Sequence, residues 1–125
     1  MIFFDRSIPR SVPEALRLVR DDIRWLDGLW PNQLNLKDTV WLEHCGRNDW
    51  LAVTRDKRVR TRPAERAMLR DANVGAFILT SPSNLSRWEQ LRLFAKHLDE
   101  MERLFLDTPR PFVYAVSEGA MRLMT

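Results

Sequence analysis

Short runs of apolar residues recur along the chain, and segments with helical periodicity separate them. The runs lie at residues 1–4, 50–54, 76–79 and 112–116, with a weaker one at 23–26. Because nearly every position in them is apolar, they predict strands that are buried on both faces. Strands of this kind that alternate with helices indicate a parallel sheet covered on both sides. We therefore predict one α/β domain over residues 1–125, with three α/β/α layers and a mostly parallel sheet of about five strands.

The segments between the runs carry the start signals of helices. Ser11 with Glu14, and Ser86 with Glu89, have the spacing of a capping box. Pro63 fits the first turn of another helix, and Asp38 predicts an N-cap. Apolar residues at helical spacing predict the inner faces, which are Val12, Ala15, Leu16 and Val19; Trp41, Leu42 and Cys45, with Gly46 as the helix end; Ala64, Ala67 and Met68; and Trp88, Leu91, Phe94, Ala95, Leu98, Met101 and Phe105.

Composition narrows the class of protein without naming a function. The chain is 45% hydrophobic and 30% charged, the balance of a globular domain rather than a disordered one. Its apolar runs reach about five residues, whereas a membrane span needs about 20, and Asp5 and Arg6 interrupt any signal peptide. The single cysteine, Cys45, excludes an internal disulfide and a zinc site built on several thiolates. We expect a cytoplasmic protein without membrane contact.

Positive charge is concentrated in the middle of the chain. The net charge is +3, and residues 51–75 hold seven basic and three acidic side chains. Such a cluster suits a polyanion such as nucleic acid, although a solvated turn and helix face would have the same composition. The basic residues are Arg55, Lys57, Arg58, Arg60, Arg62, Arg66 and Arg70.

Three aspartates are predicted to meet at the carboxyl edge of the sheet, where open α/β folds place their chemistry. Asp5 ends the first strand, Asp56 follows the strand at 50–54, and Asp38 opens a helix that starts at the same edge. Carboxylates brought together repel one another unless a cation lies between them. Oxygen ligands of this kind suit Mg²⁺ or Mn²⁺.

Other acids fit this edge less well, and the three aspartates also have structural explanations. Asp49 precedes its strand at the opposite edge, Glu43 faces away from Asp38, and Glu65 is a weaker candidate near the edge. Asp38 could be only an N-cap and Asp56 only a turn residue. Asp5 could pair with Arg6 or Arg10. The four glycines form no phosphate-binding loop, and nothing supports a serine–histidine triad.

Several segments together resemble the PIN-like domain superfamily, and within it the compact branch of VapC-type toxins. The opening Ile2-Phe3-Phe4-Asp5-Arg6-Ser7-Ile8-Pro9 is similar to that branch's strand followed by D-E-N-L-P. Asp38-Thr39-Val40-Trp41-Leu42 resembles its D-x-E-W-L helix start, and Thr54-Arg55-Asp56 its T-R-D turn. The later helix openings at 62–66 and 84–90 and the closing strand at 108–112 are also similar, so the resemblance spans nearly the whole chain.

The resemblance implies a ribonuclease that depends on Mg²⁺ or Mn²⁺, often the toxin partner of an antitoxin encoded nearby. It places Asp5, Asp38 and Asp56 at the catalytic, metal-binding positions. Arg6-Ser7 replaces the family's Glu-Asn, and Val40 replaces a glutamate. Arg6 could weaken cation binding, hold a phosphate of the substrate, or mark the loss of activity.

RNA is the expected partner of the basic side chains beside these aspartates. The predicted contacts are Arg6, Arg55, Lys57, Arg58, Arg60 and Arg62, which would bind the RNA backbone rather than its bases. A homodimer is one assembly that the sequence leaves open. The competing hypothesis is a binding module with the same fold and no cleavage. A regulator modified on one strand-end aspartate is disfavoured, because Thr80 and Ser117, rather than lysines, follow the later strands.

Overall fold

The computed structural model describes residues 1–81 and 84–124, except the side chain of Arg60. A mixed sheet of six strands lies at its centre, in the order β2-β1-β3-β4-β5-β6, and only β6 is antiparallel to its neighbour. The strands are β1 Ile2–Phe4, β2 Ile23–Trp25, β3 Leu51–Thr54, β4 Gly75–Leu79, β5 Phe112–Val116 and β6 Met121–Leu123. The helices are α1 Ser11–Arg17, α2 Leu26–Leu29, α3 Asp38–Asn48, α4 Arg58–Thr61, α5 Pro63–Asp71 and α6 Arg87–Asp107.

Each face of the sheet has its own hydrophobic core, because successive side chains of a strand point to opposite faces. Phe4 lies in the core that also holds Leu16 of α1 and Phe94 of α6. Phe3 lies in the core that holds Trp41 of α3 and Leu69 of α5. The three predicted layers and the mostly parallel sheet are thereby confirmed.

The sixth strand was not predicted from the sequence. After β5 the chain turns back, and Met121–Leu123 pairs antiparallel with Tyr114–Val116. Arg122 and Leu123 of this strand are exposed. A short strand at the rim of a sheet, covered on one face only, has no continuous apolar run to signal it.

The end of α3 differs from the prediction. Gly46 lies inside the helix, which continues to Asn48 and ends at Asp49 in the left-handed conformation, with φ of 58°. A Cβ atom on Gly46 would lie 1.8 Å from the carbonyl oxygen of Ala72. The glycine therefore permits the chain after α5 to approach α3, and it does not end the helix.

The predicted start and inner face of α1 are partly wrong. The N-cap is Arg10, one residue before Ser11, and no side chain forms a cap hydrogen bond there. The hydroxyl of Ser11 has no hydrogen-bond partner among the described residues. Val12 and Leu16 are buried as predicted. Val19 is exposed because the helix ends at Arg17, before the periodic pattern reaches it.

The longest helix begins as predicted but is rotated relative to the predicted face. Ser86 and Glu89 form the full capping box. Trp88 and Ala95 are exposed, and the buried stripe includes the polar side chains of Gln90 and His97. The buried residues are Gln90, Leu93, Phe94, His97, Leu98 and Met101.

The fifth helix shows a similar rotation. Pro63 occupies its first position as predicted. Leu69 is its buried residue, whereas Ala64 is exposed and Ala67 and Met68 are only half-buried.

Throughout residues 1–81 and 84–124, no helix combines the length and apolarity that a bilayer crossing would need.

Candidate functional site

Two of the three predicted aspartates lie at the carboxyl ends of adjacent parallel strands. Phe4, the last residue of β1, pairs with Val53 of β3. The ladder extends one step further, because the amide of Asp5 donates to the carbonyl oxygen of Val53 at 3.0 Å. This register places Asp5 beside Thr54, and Asp56 follows two residues later.

The carboxylate of Asp5 is buried and held by hydroxyl groups. Asp5 as a whole is 7% exposed. Oδ2 accepts a hydrogen bond of 2.7 Å from Thr54 Oγ1, and Oδ1 accepts one of 3.0 Å from the amide of Ser7 and a short one from its hydroxyl. Ser7 Oγ in turn accepts a bond of 2.7 Å from the amide of Arg55. The loop after β1 and the end of β3 therefore both hold the carboxylate of Asp5 in place.

Burial raises the pKa of Asp5 from 3.8 to about 6. The hydrogen bonds from Ser7 and Thr54 favour the charged form and lower the pKa, but the loss of hydration outweighs them. The negative charge of Asp38 adds a smaller rise. The electrostatic interaction between Asp5 and Asp38 indicates that α3 brings its first residue to this edge of the sheet.

Asp38 is the first residue of α3 and does not act as its cap. The N-cap is Lys37, and no side chain forms a cap hydrogen bond, so the predicted N-cap was wrong by one position. Asp38 Oδ1 instead accepts a hydrogen bond of 3.1 Å from Trp41 Nε1. The indole packs in the core against Phe3, and it thereby orients the carboxylate.

Asp56 lies in the turn after β3 and is bound by Arg58. Arg58 Nε lies 3.0 Å from Oδ1 and 2.9 Å from Oδ2, and its terminal nitrogen lies 2.6 Å from Oδ2. The amide of Arg58 also donates to Oδ1 at 3.0 Å, which is the turn expected of an aspartate at this position. The guanidinium of Arg58 lowers the pKa of Asp56 below its ordinary value of 3.8.

The same guanidinium also reaches Asp38. Its terminal nitrogen lies 3.5 Å from Asp38 Oδ2. Arg58 therefore joins the carboxylate that opens α3 to the carboxylate that follows β3. We call Asp38, Asp56 and Arg58 the Arg58 bridge.

The three predicted metal ligands, Asp5, Asp38 and Asp56, all offer the carboxylate oxygens that Mg²⁺ and Mn²⁺ prefer. In the observed arrangement, Arg58 holds two of them and hydroxyl groups hold Asp5. Within the described ranges 1–81 and 84–124, no three His, Cys, Asp or Glu side chains form a group that could hold a metal ion. In this arrangement, the guanidinium of Arg58 contacts the oxygens of Asp38 and Asp56 that such an ion would need.

Arg6 turns toward the segment that precedes α3. Its guanidinium donates to the carbonyl oxygens of Leu34 and Gln33 at 2.8 and 2.7 Å, and to Asp27 Oδ1 at 2.9 Å. The sequence analysis did not anticipate these partners. Arg6 follows Asp5 directly and anchors the chain that leads to Asp38, so it links the surroundings of two predicted site residues.

The predicted RNA contacts surround the aspartates to different degrees. Lys57 and Arg62 are exposed and immediately flank α4. Arg55 is half-buried beside the turn, and Arg58 is engaged in its bridge. The predicted contact of Arg60 lies outside the described side chains. Positive charge thus borders the aspartate edge, as the sequence indicated.

Two hydroxyl-bearing residues at the site were missed by the sequence analysis, which searched strand ends only for acids. Thr54 is the last residue of β3, and Ser7 lies two residues after Asp5. Thr54 Oγ1 also accepts a bond of 3.1 Å from the amide of Asp56, so it contacts both strand-end aspartates. The same strand-end criterion, applied to threonine, would have found it.

The three acids that fitted the edge less well in the sequence analysis lie in different surroundings. Asp49 forms an ion pair of 2.5 Å with Arg110. Glu43 lines a separate surface cavity with Asp71 and Met68. Glu65 lies in the first turn of α5, where it acts electrostatically on Arg58.

A family model described as PIN like domain matches residues 1–81, which include β1 to β4 and all three aspartates. No curated protein and no solved structure matches the chain. The match covers more than half of the 125 residues, and the observed α/β/α architecture agrees with it. The chain belongs to the family of PIN-like domains.

Proposed function

We propose that the protein is an endoribonuclease of the PIN-like type that uses Mg²⁺ or Mn²⁺, and that it is the toxin of a toxin–antitoxin pair of the VapC type. The observation that carries the proposal is the convergence of Asp5, Asp38 and Asp56 on one sheet edge beside exposed basic residues. Membership of the PIN-like family supports a nuclease-type function. The toxin role and the metal rest on the resemblance of the sequence.

Each residue has a distinct role in this proposal. A bound cation would supply the positive charge that polarises the scissile phosphate and makes the attacking water more acidic. Asp5 would hold the cation at a fixed point, because hydroxyl groups on both sides fix its carboxylate. Asp56 and Asp38 provide the remaining charge, and Lys57 and Arg62 bind the flanking phosphates without reading bases.

A second candidate is a PIN-like module that binds nucleic acid without cleaving it. The Arg58 bridge favours it, because two of the three carboxylates already have a cationic partner within the chain. Such a module would retain the basic edge and its affinity for RNA. It would lose no RNA binding when a single aspartate is neutralised.

Cleavage of single-stranded RNA in Mn²⁺ separates the two candidates. Asp5→Asn and Asp56→Asn should each abolish cleavage with the fold intact, as judged by circular dichroism. Asp49→Asn is the matched control, since it removes the same charge at the opposite edge and asparagine tolerates the left-handed backbone there. Cleavage retained in both site variants would overturn the assignment of the catalytic site to Asp5 and Asp56, and RNA binding without cleavage by the unaltered protein would establish the binding module.

The toxin role has a separate test in cells. Expression of the unaltered chain should arrest growth of a bacterial host, and expression of Asp5→Asn should not. Co-expression of the protein encoded by the neighbouring gene should restore growth. Equal growth arrest by both variants would show that toxicity does not come from this site.

A further inference from the structure

The Arg58 bridge places one positive charge where two carboxylates from different elements approach each other. Asp38 comes from the start of α3, and Asp56 comes from the turn after β3. The guanidinium of Arg58 contacts both oxygens of Asp56 and lies 3.5 Å from Asp38. A guanidinium fork matches the geometry of a carboxylate, so these contacts are specific rather than a diffuse attraction.

A guanidinium and a small divalent cation cannot share these oxygens. Mg²⁺ requires its ligands at about 2.0–2.1 Å in near-ideal geometry. Both oxygens of Asp56 already receive donors from Arg58, at 2.6 to 3.0 Å. Binding of a divalent ion between Asp38 and Asp56 therefore requires the guanidinium to move.

The exposure of Arg58 to solvent permits that movement. Its side chain is 48% exposed, compared with 19% for Asp56. It begins a helix of four residues, and Lys57 and Arg62 on either side of that helix are exposed. A guanidinium in this position can exchange a carboxylate for a phosphate, which it also binds with two parallel hydrogen bonds.

We propose that Arg58 is a built-in inhibitory cation, which occupies the carboxylates of Asp38 and Asp56 in the RNA-free protein and leaves them when a phosphodiester backbone binds. Divalent cation and RNA then bind with positive cooperativity, because the phosphate removes the competitor of the metal. By linkage, the cation strengthens RNA binding by the same factor. The inference rests on the proposed function for its metal, but it concerns binding and not cleavage.

The test measures Mn²⁺ binding by calorimetry and by electron paramagnetic resonance, without any turnover. Arg58→Ala should bind Mn²⁺ at least about tenfold more tightly than the unaltered chain. Arg70→Ala is the matched control, because it removes the same charge from the last turn of α5, and it should change the affinity less than about twofold. A 2′-O-methyl RNA oligonucleotide, which resists cleavage, should tighten Mn²⁺ binding to the unaltered chain and leave that of Arg58→Ala unchanged.

The outcomes separate this inference from the proposed function. Equal Mn²⁺ affinity of Arg58→Ala and the unaltered chain would overturn the inhibitory role, even if Asp56-dependent cleavage is observed. Tighter binding by Arg58→Ala with no cleavage of RNA by either protein would support the inhibitory role and refute the nuclease. Absence of Mn²⁺ binding in every variant that folds, as judged by circular dichroism, would refute both.

Discussion

Thr54 Oγ1 donates a hydrogen bond of 2.7 Å to Asp5 Oδ2, although the two residues are 49 positions apart. The bond joins the last residue of β3 to the residue after β1. Since the carboxylate is buried, the hydroxyl replaces water that folding removes. The position of Asp5 therefore depends on the register between two strands and not on its own loop alone.

The raised pKa of Asp5 predicts a loss of stability as the pH increases. The folded state holds the proton up to about pH 6, whereas the unfolded chain releases it near 3.8. Between these values the folded state binds more protons, so the free energy of unfolding decreases with rising pH, by about 3 kcal/mol at most. Urea unfolding at intervals from pH 4 to pH 7 measures this decrease.

Asp5→Asn isolates the contribution, because its side chain is neutral at every pH. The stability of the unaltered chain relative to this variant should fall between about pH 4 and pH 6 and then level off. Asp22 and Asp56 have lowered pKa values, so they act below this window. Parallel curves for the two proteins across the window would contradict the assignment of a raised pKa to Asp5.

Thr54→Val should destabilise the protein by about 2 kcal/mol at pH 7, because it removes a donor to a buried charge while keeping the volume. The pKa of Asp5 should rise further in this variant. Thr80→Val is the control, since the hydroxyl of Thr80 makes a long bond of 3.4 Å to the carbonyl oxygen of Val116. Equal decreases in the free energy of unfolding from the two substitutions, measured with urea, would show that the Thr54 bond to Asp5 stabilises the protein no more than the Thr80 bond does.

Arg6→Gln should loosen the segment that leads into α3. The variant loses the ion pair with Asp27 and the fork on the carbonyl oxygens of Gln33 and Leu34. Amide hydrogen exchange over residues 33–37 should become faster, with little change in the strands. Arg10→Gln, which removes only a surface pair with Glu14, should leave exchange there unchanged.

Lys57→Ala with Arg62→Ala should weaken the binding of single-stranded RNA about equally for all sequences. The slope of log affinity against log salt should decrease by up to about 1.4, since each phosphate contact contributes about 0.7. The control is Arg17→Ala with Arg103→Ala, which removes the same charge from α1 and α6. If both double variants change the slope alike, net charge and not location determines binding.

Gly46→Ala should destabilise the protein by about 3 kcal/mol, even though alanine is the better helix former by about 1 kcal/mol. The added Cβ would lie 1.8 Å from the carbonyl oxygen of Ala72, and neither backbone can yield easily. Gly119→Ala meets no atom within 4 Å and should be nearly neutral. Thermal unfolding of both variants compares the two positions directly.

The sequence predicted those features that follow from the pattern of a single segment. The central strands are buried on both faces, so their apolar runs marked them, and parallel topology then placed Asp5 and Asp56 at one edge. Ser86 and Glu89 predicted their capping box because both partners lie within one turn. Each of these inferences requires only local spacing or a general rule of topology.

Features that depend on contacts between distant segments could not be predicted in this way. Gly46 has the composition of a helix end, and only the approach of Ala72 explains its place inside α3. His97 and Gln90 are polar, yet they bond to the carbonyl oxygens of Glu118 and Leu85, which lets them be buried and hides the true face of α6.

The direction of a long side chain was equally hidden. Arg58 was expected to face RNA, although the predicted meeting of Asp38 and Asp56 already placed two carboxylates within its reach. Arg6 was expected near the aspartates, since no periodic pattern marked its partners, which lie in the short helix α2 and in the loop after it. Arginine side chains choose among several partners within reach, and the sequence does not rank them.

The packing of Phe4 against Phe94 has a consequence for how the protein is made. The two rings meet edge to face with centroids 5.3 Å apart, directly before Asp5. A ribosome delivers β1, α3 and β3 first, and the helix that carries Phe94 follows only after all three aspartates have been synthesised. A nascent chain that reaches only residue 81 therefore carries every predicted catalytic group without α6, the helix that places Phe94 against Phe4. We expect the site to reach its final packing only once α6 has been synthesised and packs on the sheet.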